Sequence, residues 1–406
     1  MLPTYFQDPS AEAPRPPRVD GQTEEERLKT VASYLMKRFE SGSIRVQRLE
    51  GGDIPDAFFA DDVRFLLDEP RHSELVTVLT QELGAPKTGS AEARLLFQHD
   101  LWNRFDALHK LMVDVKDEPA KARGRLLLTL LGKLIARHAL RVQELATIRS
   151  NFADAARAYP GILDAGLFTS GSPWRELVPR LGSGEYTTVH STTARFRRIF
   201  RVFVLAPEKL GGAACLEASF RAYYERNEGS SSASETGCVR YGSALSYGSR
   251  ALLVETAVAL SDQGALVPVP IVFSVQLREI EPVTPGPQGQ LGLEQLRFFV
   301  LHLARHELLA RTESTGGLKA LEADDPVPRF FAAFGRSSSG VSLVPMRLSC
   351  PNCHGLDGAR LMTTNFHDVT GVHVLRPDNT LQQELVIRRK RADPAYQALK
   401  PFFAAP

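Results

Sequence analysis

The chain has little of what most function classes leave in a sequence. Its 406 residues hold no apolar run long enough to cross a bilayer. The most apolar helical stretch, 126–136, is short and interrupted by Lys133, and reads as a core helix. Neither sign of charge dominates, with a formal net charge of +2, so composition points to neither a nucleic-acid nor a membrane-surface partner. Walker A, G-x-G-x-x-G, G-x-S-x-G and H-E-x-x-H are all missing, and Gly211-Gly212 and Gly316-Gly317 do not sit in phosphate loops. Nucleotide-dependent enzymes and hydrolases with a nucleophile elbow are disfavoured. There is no internal repeat. The remaining composition, 43% hydrophobic and 24% charged, is that of an ordinary globular protein with ample length for a large core.

Cysteine is scarce too, at four residues, which makes its placement informative. Two stand in Cys350-Pro351-Asn352-Cys353-His354-Gly355. C-x-x-C-H is the signature of covalent haem c attachment: two thiols add to the two vinyl groups and the adjacent imidazole ligates iron. Composition alone would produce the string roughly once in a thousand such chains. The other two, Cys215 and Cys238, flank a Ser-rich segment. As a disulfide they would close a loop of about 24 residues, worth roughly 3 kcal/mol, and would fit an oxidising compartment. Two unrelated buried thiols are the alternative.

The continuation C-H-G-x-x-G, through Gly355 and Gly358, resembles the start of a bacterial class I c-type cytochrome. That resemblance implies His354 as proximal ligand. It covers only these residues, because the distal Met of that family, some way downstream, has no counterpart: no Met follows Met362. The distal candidates are therefore Met362, His367, His373, a residue of the helical body such as His302 or His306, or an open position. Bis-His ligation would imply electron transfer, and an open position an oxidase or peroxidase. Asp100-Leu101-Trp102-x-x-Phe105-Asp106, the stretch 268–278 (PVPIVFSVQLR) and a late single C-x-x-C-H-G together resemble an uncharacterised group of exported bacterial proteins. That resemblance implies export and haem attachment, and no particular activity.

Haem c is attached outside the bacterial cytoplasm, so the expected location is periplasmic or extracellular. Residues 1–20 hold no apolar signal core, but Pro3, Pro9, Pro14, Pro16 and Pro17 give them the look of a spacer that follows a cleaved signal. A structural zinc site is the competing reading: Cys350, Cys353, His367 and His373 fit C-x2-C…H-x5-H. The spacer lacks the apolar helix that usually presents such a His pair, and zinc leaves His354 unexplained. A plain redox or disulfide C-x-x-C is the third reading.

The fold expected is α+β, with a helical N-terminal half, a small antiparallel sheet around a long hairpin and a C-terminal C-x-x-C-H metal segment. Residues 1–21 read as a disordered Pro-rich leader and 22–190 as mostly helical. The spacings Leu75/Val78/Leu79/Leu83 and Leu101/Phe105/Leu108/Met112 carry that reading, and a long helical stretch over 119–158 is expected to break once. Residues 191–340 read as mixed α/β, and 341–406 as the haem-c-like segment. A strand is expected at 199–205. Residues 252–260 and 266–277 form the best hairpin, turning at Ser261-Asp262-Gln263-Gly264. Pro268 and Pro270 place the start of the return strand at an edge. Residues 293–309 read as a helix with His302 and His306 on one face, and 330–340 as a surface loop. Arg195, Arg197, Arg198 and Arg201 read as one charged face of a strand entry. The basic run Arg388-Arg389-Lys390-Arg391 reads as a solvated face, or a partner for haem propionates or an acidic redox protein. Trp102 and Phe105 read as core aromatics, Asp100 as a helix cap, and a catalytic role for His99, Asp100 or Asp106 stays open. A redox partner protein is the expected partner.

Overall fold

The computed structural model describes residues 63–87, 89–179, 197–206, 208, 212–216, 218, 248–280, 296–310, 315–321, 326–328, 343–345 and 372–404. After a short turn at Arg64–Leu67 come α1 (Arg71–Gly84), α2 (Ala91–Asp114), α3 (Glu118–Arg137), α4 (Val142–Thr147) and α5 (Phe152–Ala158). The helix starts are written in the sequence. Ser90 accepts a hydrogen bond from the Ala93 amide at the head of α2, and Asp117 one from Ala120 at the head of α3 beside Pro119. Ser90, rather than Asp100, is thus the cap. The stretch expected to break once breaks twice, between α3 and α4 and between α4 and α5.

The strands are β1 (Arg175–Pro179), β2 (Arg198–Leu205), β3 (Arg250–Leu260), β4 (Leu266–Ile280), β5 (Leu296–Leu303), β6 (Leu318–Ala320), β7 (Pro326–Pro328), β8 (Leu343–Pro345) and β9 (Val372–Leu375). A seven-stranded sheet runs β6-β5-β4-β3-β2-β1-β9, every neighbouring pair antiparallel, while β7 and β8 pair separately. The fold is α+β, and its sheet is larger than the hairpin alone suggested. Helices α6 (Arg305–Ala310), α7 (Leu381–Ala392), α8 (Pro394–Leu399) and α9 (Pro401–Ala404) complete the described chain. None of the described helices is long and apolar enough to cross a membrane.

The hairpin forms where the turn residues placed it. Gly264 takes φ +71° and donates to the Ser261 carbonyl, and the Ser261 amide donates to Ala265. Pro268 and Pro270 are exposed while Val269 and Ile271 are buried. Among the described residues, β5 pairs with Ser274 to Ile280 and no strand lies on that side of the proline-bearing start of β4, in keeping with its two missing amide donors. The residues expected to form one helix instead form β5 and then α6. Phe298, Phe299 and Val300 suit a pleated surface, and that preference outweighs the helical spacing of the leucines.

Among the described residues, three apolar clusters stand out. Helices α1–α3 pack with Val258, Leu260, Tyr396 and Leu399, while α5 and the loop carrying Leu163, Leu167 and Trp174 pack on Phe203, Leu252, Val275 and Leu301 of the sheet. The third joins Leu95, Leu140 and Ile148 to Val269, Ile271 and Phe273.

Candidate functional site

Helix α2 runs through the middle of the molecule, and every residue from Leu95 to Leu108 is buried. A helix covered on all sides should be apolar on all sides. This one carries Gln98, His99, Asp100, Asn103, Arg104 and Asp106 in that stretch, and each of these polar groups must find a partner or pay a desolvation cost. The partners come from far along the chain. Asp106 Oδ2 accepts from Arg197 Nη1 at 2.7 Å and from Lys390 Nζ at 2.6 Å, and Arg197 Nη2 donates to Asn103 Oδ1 at 2.9 Å. Lys390, fully buried on α7, also reaches Asp393 at 2.8 Å and lies over the Trp102 ring at 4.9 Å. One turn back, Asp100 takes both Nη groups of Arg305, with Nη2 at 2.8 Å. Gln98 clasps Leu260 at both backbone atoms, donating to its carbonyl at 2.9 Å and accepting from its amide at 3.0 Å. That clasp serves the outer edge of β3 beyond the point where pairing with β2 stops at Ala257. Asn151 does the same for Val272 on β4, at 3.1 and 2.7 Å, next to the register shift in the β3–β4 ladder.

A second knot lies four residues further along β2. Arg201 on β2 forms a two-point pair with Glu176 on β1, at 2.9 and 2.6 Å, and Asn379 donates to Glu176 Oε2 at 2.7 Å. Arg201 also donates to the Pro377 carbonyl at 2.5 Å, tying down the chain that leaves β9. Between the knots, Arg198 pairs with Glu255 at 2.8 Å and covers the Phe273 ring, against which the His99 ring also lies with 4.7 Å between centroids. The arginines read as one charged face are therefore buried ion-pair partners at Arg197, Arg198 and Arg201. Lys390 departs in the same way from a solvated basic run; Arg388 and Arg391 are exposed as expected.

These environments set the charges. Burial works against ionisation of Asp106, but the Lys390 and Arg197 cations outweigh it and hold its carboxyl below the usual range. Asp100 is held down likewise, by Arg305 against burial. At Glu176 burial wins over Arg201 and Asn379 and pushes the carboxyl up. Burial lowers the His99 imidazole, favouring the neutral ring. Each cluster nearly neutralises itself, which suits a frame better than a reaction centre.

The residues singled out for metal chemistry are placed as follows. Cys350, Cys353, His354, Met362 and His367 lie outside the described residues, as does the expected loop at 330–340. His373 stands on edge strand β9, opposite Val178 of β1. His302 stands on β5, opposite Ser274 of β4 and Lys319 of β6. His306 is on α6, with Nε2 3.7 Å from Glu307 Oε1. His302 and His306 thus belong to a strand and a helix rather than to one helical face. His302 and His373 stand on strands five spacings apart in the sheet, about 24 Å measured along it. Among the described residues, no three His, Cys, Asp or Glu side chains converge as metal ligands.

The chain matches no protein-family model, no curated protein and no solved structure. What it does must be argued from its own residues. The ionic frame around α2 escaped the sequence reading, yet left a signal: Asp100 and Asp106 flank Trp102 and Phe105 in one segment, and closely spaced arginines stand among Phe196, Ile199 and Phe200 in another.

Proposed function

We propose that the chain is an exported bacterial mono-haem c protein that exchanges electrons with a redox partner protein. The observation that carries this is C-x-x-C-H-G at Cys350, Cys353, His354 and Gly355. The donor set suits the group: two thiols at the spacing of the vinyl substituents, and an imidazole directly after the second. Bound haem supplies one-electron chemistry, tuned by axial ligand, burial and nearby charge.

The roles of the chain's own residues follow. Cys350 and Cys353 hold the macrocycle, and His354 orients it. Met362, His367 and His373 are the second-ligand candidates nearest in sequence, and His302 and His306 are the candidates from the rest of the chain. The Arg201–Glu176–Asn379 knot anchors the chain where it leaves β9, and the exposed Arg388 and Arg391 offer positive charge to an acidic partner. Two further observations support the reading. Cys215 is disulfide-bonded, which belongs with an oxidising compartment. The buried charges are spent on each other, which favours electron transfer over acid–base catalysis.

The test is a reduced pyridine haemochrome spectrum on protein exported from a host with haem c maturation machinery. A c-type α-band that survives acid–acetone extraction is expected, and it should be lost in Cys350→Ser/Cys353→Ser. A colourless protein with one equivalent of zinc, lost in His367→Ala or His373→Ala, would overturn the reading in favour of a structural zinc site.

A further inference from the structure

We propose that Lys87 is a carbon dioxide site, where the side-chain amine forms a carbamate held by Arg94, Arg137 and the head of α2. Lys87 is exposed, three residues past the end of α1 and three before Ser90, the cap of α2. It therefore stands beside the positive end of a helix of 24 residues.

Two guanidinium groups are fixed around that connection. Arg137, the last residue of α3, donates through Nη2 to the Ala85 carbonyl, two residues before Lys87. Arg94, in the first turn of α2, donates through Nη1 to Glu144 at 3.0 Å and through Nη2 to the Ala139 carbonyl at 2.9 Å. Its buried Nε–H meets no acceptor among the described residues, which leaves one donor unspent. Two acids face the same cluster, Glu144 on α4 and Asp262 in the hairpin turn. Glu144 is already committed to Arg94 and to the amide and Nε of Arg141. Arg137 sets its charge against a neutral carbonyl, so the cations outweigh the acids here. Lys121, Lys319 and Lys390 are placed the other way, each against a carboxylate.

An ordinary surface lysine reacts poorly with carbon dioxide for two reasons. Its amine is protonated, and nothing holds the anion that forms. The surroundings of Lys87 act on both. Partial loss of water favours the neutral amine, and the Arg94 and Arg137 cations push the same way against Glu144 and Asp262, so the ammonium is held below the usual lysine range. The amine lone pair then forms an N–C bond to carbon dioxide, one C=O π pair moves onto oxygen, and the nitrogen gives a proton to water. A negative charge now stands where the cation stood. The guanidinium groups and the helix head that disfavoured the ammonium favour the adduct.

The experiment is carbamate trapping on the full-length protein, equilibrated with carbon dioxide at neutral pH, ethylated with a trialkyloxonium salt and mapped after tryptic digestion. The fixed adduct blocks cleavage after Lys87, so the expected species is 72–94 carrying an ethyl carbamate. Its yield should exceed that at Lys121 several-fold and vanish in Lys87→Arg. Arg137→Gln should lower the yield, and Asp262→Asn, at an exposed position with no structural partner to lose through its side chain, should raise it. Labelling at Lys87 no greater than at Lys121, or a yield that Asp262→Asn leaves unmoved, would overturn the proposal.

Discussion

Two buried carboxylates, Asp106 and Glu176, are tied down in similar ways and carry their charge differently. Each is fully buried, each accepts from an arginine on β2 or at its entry, and each takes a further donor from the C-terminal part of the chain. The further donor at Asp106 is the Lys390 ammonium; at Glu176 it is the neutral Asn379 amide. With two cations the Asp106 carboxyl is held down, and with one the Glu176 carboxyl is pushed up by burial. The second cation tips the balance at Asp106, whereas Asp100 is held down with Arg305 and the neighbouring His99 as its partners.

The sharpest way to break this comparison is to remove the second donor from each knot. Lys390→Met strips one cation from Asp106 and one of two partners from Asp393, which keeps the Ala395 amide. The expected loss is on the order of 3–5 kcal/mol, the cost of breaking a buried ion pair from one side. Asn379→Ala removes a neutral donor near the surface, and about 1 kcal/mol should go. Urea denaturation of the two variants checks both. Equal losses would mean that charge at Lys390 matters no more than a hydrogen bond.

Between these extremes stand the two amides that close the open edges of the hairpin. Gln98→Leu keeps the volume inside α2 and leaves the Leu260 amide and carbonyl without their clasp, at a cost of roughly 1–3 kcal/mol. Amide hydrogen exchange should locate the damage. Leu260 loses protection, and Val272, held independently by Asn151, keeps it.

How much of this was legible in the sequence depends on whether the signal is local. The hairpin turn, the exposed prolines of β4 and the caps at Ser90 and Asp117 are properties of a few adjacent residues, and the structure has them where local chemistry puts them. The strand ending at Leu303 was misjudged because leucines spaced as in a helix also occur in a buried strand, and Phe298, Phe299 and Val300 tip the balance. The polar residues of α2 were illegible for another reason. Asp106 and Lys390 are 284 positions apart, and Asp100 and Arg305 are 205 apart. Nothing local in either segment says that they meet. The metal motif is the reverse case, fully legible as a string and outside the described residues.

The finest distinction between the two carboxylates is the sign of their pH dependence. Asp106 and Asp100 have folded values below their unfolded ones, so their contribution to stability is present above the ordinary Asp range and is lost as the pH falls through the lowered values. Glu176 has a raised folded value. Its contribution is fully present below the ordinary Glu range and is lost as the pH rises through the raised value. His99 adds a third slope: its lowered folded value makes stability fall as the pH drops below the ordinary His range, where the unfolded chain binds a proton that the buried ring resists. Each group contributes at most about 1.4 kcal/mol per pH unit within its window. Urea midpoints measured across the acid to neutral range should therefore fall less steeply on acidification in His99→Phe. In Glu176→Gln the loss with rising pH just above the ordinary Glu range should vanish, while the acid limb set by Asp100 and Asp106 stays in place. A Glu176→Gln profile that instead loses the acid limb would mean that Glu176 is ionised in the folded protein, and that a single arginine suffices where the Asp106 knot uses two cations.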